Sequence, residues 1–254
     1  NLLESCCKCF GCCCIDTTNS YNIIIKNDSK DVTFIAKEDS SCCSRALCNP
    51  NHGLTLRVND QNEKEVLTIE RPFKCCCFAI GPCQKSITIQ KGLSTIGYVQ
   101  QPCCGGCFTP TLNMYNSPGG KEIGKIKGPT CCIAGCCGSD FDVTSPDDKD
   151  LAEIRRGGVG SRGVARSLLS TSDKYSINFK SNLSNDEKLV LISSVLFIDY
   201  LFFEGETECL VNCCTCPPQC WFKLCEFYFC GCSVPCRVRC CVAAEEIAKR
   251  QVPG

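Results

Sequence analysis

The segment KLVLISSVLFIDYLFFEG, Lys188 to Gly205, constrains this chain more than any other. It must either cross a bilayer or fill the inside of a folded domain. From Leu189 to Phe203 the apolar run is 15 residues long. As an α-helix it reaches about 22 Å at ~1.5 Å per residue, short of the ~30 Å of hydrocarbon in a bilayer. Asp199 lies within it, and a carboxylate near a bilayer centre costs on the order of 3 kcal/mol. Glu204, Glu206 and Glu208 follow, where a stop-transfer segment would place Lys or Arg. The preceding SNDEK offers an N-cap and early acids, which predicts a helix start between Ser184 and Glu187. A helix apolar on all sides belongs inside protein. A buried helix over 186–204 is therefore expected, with Leu189, Leu191, Ile192, Val195, Leu196, Phe197, Ile198, Asp199, Leu201 and Phe202 inside.

Short β segments precede the helix, separated by turn chemistry: YNIIIK, DVTFIAK, LTLRV, KEVLTIE, KSITIQ, TIGYV, TLNMY, KEIGKIK, DFDVTS, LAEIRR and KYSINF. YNIIIK and DVTFIAK flank Asn27-Asp28-Ser29, a hairpin signal. Recurrence at roughly 10–15 residues is the pattern of a sandwich or closed barrel, which the helix would thread. An internal repeat supports a duplicated meander: Glu65/Glu122, Ile69/Ile126 and Pro72/Pro129 share one offset of 57 residues. GGVGSRG (157–163) has no strand–helix context for phosphate binding and is read as a loop, as are the nearby Arg155, Arg156, Arg162 and Arg166.

Formal net charge is zero, so no global field draws the chain to nucleic acid, and no nucleic-acid partner is expected. Of its 31 cysteines, 20 run in adjacent pairs and triples. Neighbouring side chains on a strand face opposite ways, so such runs suit S-acylation or metal binding better than a disulfide framework. With no signal-peptide pattern at the start, the cytosolic side of a membrane is expected. His52 is the one histidine and sits in a turn; no enzyme active site is expected. CCGGC (Cys103–Cys107), CTCPPQC (Cys214–Cys220) and CGCSVPC (Cys230–Cys236) have spacings that could hold Zn²⁺, without a paired CxxC frame. For the tail, zinc, disulfides and acylation stand as alternatives, the last with Trp221, Phe222, Phe227, Tyr228 and Phe229 at the lipid interface.

YNIIIKN, AKEDSSCCSR (Ala36–Arg45), LTLRVND, EVLTIERPFKC (Glu65–Cys75), IGYVQQ and FIDYLFFE together resemble the phospholipid scramblase family, from about Leu2 to Gly205. The resemblance implies a mainly β, tubby-like fold: a closed antiparallel barrel of about twelve strands around a central buried hydrophobic C-terminal helix. Three parts are expected: a Cys-rich lead-in over 1–16, the barrel with its helix over 17–205, and a Cys/aromatic-rich extension over 206–254. The resemblance further implies ATP-independent, calcium-triggered movement of membrane phospholipids between leaflets. It also implies a palmitoyl anchor on the cytosolic face, with the plasma membrane as the location. The alternative is a membrane-tethered binding or structural module that docks to a membrane protein through 206–254.

The family's acylated cluster follows the ERP motif, where this chain has Cys75, Cys76, Cys77 and Cys83; Cys6, Cys7, Cys9, Cys12, Cys13 and Cys14 suit the same chemistry. The family's acidic calcium loop is matched by TSDKYSINFKSN (Thr171–Asn182). Only Asp173 keeps a charged ligand position, and Asn182 stands where an outer acid is usual. Ca²⁺ takes six to eight oxygens with several carboxylates. This loop is expected to hold it weakly or not at all.

Overall fold

The structure is a computed structural model, and it describes residues 18–25, 31–41, 51–74, 84–129, 140–156 and 175–203; for 210–212, 219–229 and 232–240 it describes the backbone. Eleven strands form one sheet: β1 (Ser20–Ile25), β2 (Val32–Asp39), β3 (Leu54–Asn59), β4 (Glu65–Arg71), β5 (Ser86–Lys91), β6 (Ser94–Gln100), β7 (Thr111–Tyr115), β8 (Glu122–Lys127), β9 (Asp140–Thr144), β10 (Asp150–Arg156) and β11 (Tyr175–Phe179). Each coincides with one of the segments read from the sequence. Neighbours in sequence are neighbours in the sheet, all antiparallel. The turn between β1 and β2 lies outside the described residues, but Ile25 opposite Val32 shows the hairpin.

Alternation builds the core. Leu54, Leu56 and Val58 of β3 are buried and face Leu67 and Ile69 of β4 in register, while Thr55 and Arg57 point away. Similar buried pairs recur in the two halves, although of the residues in them only Ile69 and Ile126 keep the offset of 57. Leu56 opposite Ile69 and Ile69 opposite Ile89 correspond to Leu112 opposite Ile126 and Ile126 opposite Val143, all buried. The sheet departs from the closed barrel of about twelve strands. It has eleven, and among the described residues no ladder joins β1 to β11, which are its two edges.

The helix α1 (Asn185–Ile198) starts at a capping box. Glu187 N–H donates to Ser184 Oγ at 3.3 Å and Ser184 N–H donates to Glu187 Oε2 at 2.8 Å, satisfying two otherwise orphaned donors. Every residue from Ser193 to Ile198 is buried, more than a full turn of helix, so protein surrounds α1 on all sides there. Leu191, Val195, Leu196, Phe197, Ile198 and Phe202 are buried, while Leu189, Ile192, Asp199 and Leu201 are half-buried. Ser193 and Ser194 are accommodated because their hydroxyls donate to the Leu189 and Val190 carbonyls, each at 2.8 Å. Beyond Ile198 the coil widens to a π-helical turn, Asp199–Phe203. Gly97 of β6 allows the sheet and helix to meet: a Cβ there would lie 2.2 Å from Val190 Cγ2. Among the described residues no helix is long and apolar enough to cross a membrane.

The tail contains structure that the sequence reading did not assign. β12 (Leu210–Asn212), β13 (Gln219–Phe229) and β14 (Cys232–Cys240) form a second antiparallel sheet. Its register sets Cys220 opposite Cys240 and Cys225 opposite Cys236. VAAEEIAKR near the end of the sequence, whose composition predicts a short helix, lies outside the described residues.

Candidate functional site

The end of α1 is where the two sheet edges converge. Tyr21 of β1 donates its hydroxyl to Asp199 Oδ2 at 2.9 Å, and Tyr175 of β11 donates to Asp199 Oδ1 at 2.8 Å. One carboxylate therefore ties both edges of an open ladder to the helix. Burial first, then the charge of Asp199 and the neighbouring Tyr200, push the Tyr21 phenol far above its ordinary range. It stays protonated and remains a donor.

Next to this clasp is a second buried carboxylate. Glu38 of β2 accepts from the Asn19 backbone N–H at 3.0 Å, from the Tyr200 hydroxyl at 2.9 Å and from the Ser40 hydroxyl. His52 Nε2 lies 3.4 Å from its other oxygen, and both side chains have no accessible surface. Burial alone would raise the Glu38 pKa, but His52, Ser40, Asn19 and Tyr200 together bring it down to about 2. Arg71, at the end of β4, is buried with its guanidinium 5.8 Å above the Tyr200 ring. An aromatic group completes this end: Phe141, Phe202, Phe203 and Tyr175 pack with ring centroids 6.3–6.4 Å apart. The Arg156 guanidinium sits 3.8 Å over Phe203.

From sequence, Asp199 counts only against a membrane span and His52 only as a turn residue, and Glu38 and Arg71 are not singled out. A signal was present: Glu38 follows Phe34 and Ala36 on the inward positions of β2, as Arg71 follows Leu67 and Ile69 on β4. A charged residue with inward parity needs partners. Beside the network and sharing Ser40 and Arg71 with it, an open cleft of about 610 Å³ lies against the ends of β2, β3 and β4. Asp39, Ser40, Ser41, Thr55, Glu70 and Arg71 are among the residues lining it.

Of the expected site residues, Asn182 is exposed in the connection before α1, and β11 stands between it and the position of Asp173. Asp173 and the cysteines of both acylation clusters (Cys6, Cys7, Cys9, Cys12, Cys13, Cys14; Cys75, Cys76, Cys77, Cys83) lie outside the described residues. In CCGGC, Cys103 and Cys107 are exposed free thiols and Cys104 is partly covered. Of the four arginines read as a loop, Arg155 and Arg156 instead end β10, where Arg155 pairs with Glu153 at 2.8 Å and Arg156 stacks on Phe203; Arg162 and Arg166 lie outside the described residues.

Residues 11–205, the whole eleven-stranded sheet with its helix, match the model of the Scramblase family. Human phospholipid scramblase 1 is 33% identical over 197 residues, covering 75% of this chain and 58% of that protein. Phospholipid scramblase 2 of Bos taurus is 34% identical over 198 residues, covering 74% and 62%. Human phospholipid scramblase family member 5 is 31% identical over 195 residues, covering 74% and 68%. The chain spans about three-fifths of the length of the first two. No solved structure matches it. The match takes in the strands, the capped helix and the carboxylate clasp at its end, and on that ground the chain belongs to the Scramblase family.

Proposed function

We propose that this chain promotes ATP-independent, bidirectional movement of phospholipids between the leaflets of a membrane, most directly the plasma membrane, from its cytosolic face. The observation that carries this reading is the family match across the complete sheet and helix. Relatives over that span are named phospholipid scramblases. The enclosure of α1 shapes the mechanism. A helix surrounded by its own strands offers no lipid path, so the domain acts on the bilayer from its surface, where palmitate on Cys75, Cys76, Cys77 and Cys83 and on the lead-in cysteines would hold it. The reaction is a translocation, with no covalent step on the lipid. Calcium is at most a weak trigger, because the loop offers Asp173 and Asn182 where several carboxylates are wanted.

The test is reconstitution of the acylated full chain into vesicles carrying a dye-labelled lipid, with a membrane-impermeant quencher outside. The reading expects loss of inner-leaflet dye without ATP and with little change on adding Ca²⁺. Dye loss no faster than in protein-free vesicles, with the protein bound and folded, contradicts it. A second reading has its own support: the sheet β12–β14 lies wholly beyond the family match, as an added binding element would. Under it the chain is a membrane-tethered module that docks to a membrane protein through 206–254 and moves no lipid.

A further inference from the structure

An antiparallel meander sends its connections alternately to two ends, and here the ends differ in chemistry. The end where α1 finishes receives 40–53, 72–85, 101–110, 128–139 and 157–174. The opposite end receives 26–31, 60–64, 92–93, 116–121, 145–149 and the link 180–184 to α1. Between β1 and α1 the chain has 14 cysteines; all are in the first set, with none in the second set or in any of the eleven strands. The remaining 17 are in the segments before β1 and after α1, whose junctions with the sheet and helix are at that same end. Charge divides less sharply. The first set has six Lys/Arg, of which Lys85 is buried, against Asp173 as its one acid, and the second has six of each sign; the segments before β1 and after Phe203 add six Lys/Arg and eight acids.

The described residues of the cysteine end show what it presents. Cys103 and Cys107 are exposed free thiols, held out by a tight turn in which Cys104 and Cys107 have positive φ (55° and 61°). Phe108 beside them is 61% exposed, and Phe73, which leads into Lys74 and Cys75, is 50% exposed. Apolar rings, thiols and an excess of positive charge on one face match a surface of acyl chains below anionic headgroups.

We propose that the cysteine end is the face laid against an anionic bilayer, strands end-on to it, and that Cys103 and Cys107 are S-acylated there. The proposal rests on the reading that this chain works at a membrane, and it adds the orientation and a modification site. In the step, the Cys103 or Cys107 sulfur attacks the carbonyl carbon of a fatty acyl-CoA thioester. The new C–S bond forms as the old one breaks, and CoA leaves as the thiol carrying the cysteine's proton. One chain gives reversible attachment and further chains make it stable, which gives a purpose to thiols gathered at one end.

Two exposed apolar side chains at opposite ends provide the test: Phe108 and Leu93, the latter in the β5–β6 turn and fully exposed. In the full acylated chain with its single tryptophan removed (Trp221→Phe), either Phe108→Trp or Leu93→Trp is introduced. The protein is bound to phosphatidylcholine vesicles containing a minority of phosphatidylserine, with brominated lipid as quencher. The proposal expects loss of most of the Phe108→Trp emission and none of the Leu93→Trp emission. Quenching at Leu93, equal quenching at both, quenching at neither, or no vesicle binding overturns the orientation. Mass spectra of the peptide carrying Cys103 and Cys107 from cell-expressed full chain should show acyl masses that hydroxylamine removes; unmodified thiols overturn the acylation. Quenching at Phe108 with no lipid movement keeps this inference and discards the functional reading. Lipid movement with quenching at Leu93 does the reverse.

Discussion

Removing the hydroxyls that reach Asp199 tests whether that carboxylate ties the sheet edges together. Tyr21→Phe and Tyr175→Phe keep both rings, including the packing of Tyr21 on Tyr200 at 5.9 Å, and each deletes one O–H donor at 2.9 or 2.8 Å. A hydrogen bond to a charged group contributes about 1.5–3 kcal/mol net. Asp199 is half-buried and water can reach part of it, so the low end applies, about 1.5 kcal/mol for each variant. The double variant should lose more than the sum, roughly 4 kcal/mol, because the first loss still leaves one edge tied and the second frees it. In an Asp199→Asn background each Tyr→Phe change should cost less than 1 kcal/mol or so, since the neutral amide accepts more weakly. Equilibrium urea unfolding of the full chain, followed by its β-sheet signal, measures all of these through the midpoint at constant slope. Losses below about 0.5 kcal/mol that simply add, and that are the same with Asp199 intact as in the Asp199→Asn background, would refute the clasp.

Three further outcomes follow from the same end of the molecule and from Gly97. Glu38 has its pKa lowered from 4.5 to about 2. Its contribution is therefore complete above pH ~4.5 and lost as pH falls through ~2; about 3 kcal/mol should disappear over that window, and Glu38→Gln should flatten the profile. The Tyr21 phenol is raised by burial and by Asp199, so the neutral form stabilises the fold. That stability is complete below pH ~10 and should fall by about 1.4 kcal/mol per unit above it, a slope that Tyr21→Phe should reduce in alkaline unfolding. Gly97→Ala drives a methyl toward Val190 Cγ2, 2.2 Å from the new Cβ, and should cost about 1–3 kcal/mol, with partial rescue by Val190→Ala in thermal melts.

Eleven strands and a capped helix could be read from the sequence because each follows its own local rule. β3 alternates, β1 and β2 flank a turn signal, and Ser184 with Glu187 spells a capping box. What could not be read depends on contacts distant in sequence. Tyr21 and Asp199 are 178 residues apart and Glu38 and Tyr200 are 162 apart, so no local pattern announces them. Closure of the ladder is likewise a property of the two edges and of no single segment. In the tail, β13 and β14 were hidden by composition: cysteines and aromatics crowd both parities of the strands, so alternation fails as a signal. The distribution of cysteines between the two ends was in the sequence throughout, but it acquires meaning only once the strand order says which loops are neighbours.

The apolar helix is sheathed by its own strands, and photolabelling from within the bilayer tests that enclosure. A phospholipid with a photoreactive group in its acyl chain, in vesicles bearing the acylated full chain, marks whatever touches hydrocarbon. Peptide mapping should find adducts at the cysteine-bearing connections and none at Val190, Leu191 or Ser193 to Ile198, whose side chains are enclosed. Adducts along Val195 to Ile198 in folded protein would place the helix in lipid and contradict the account.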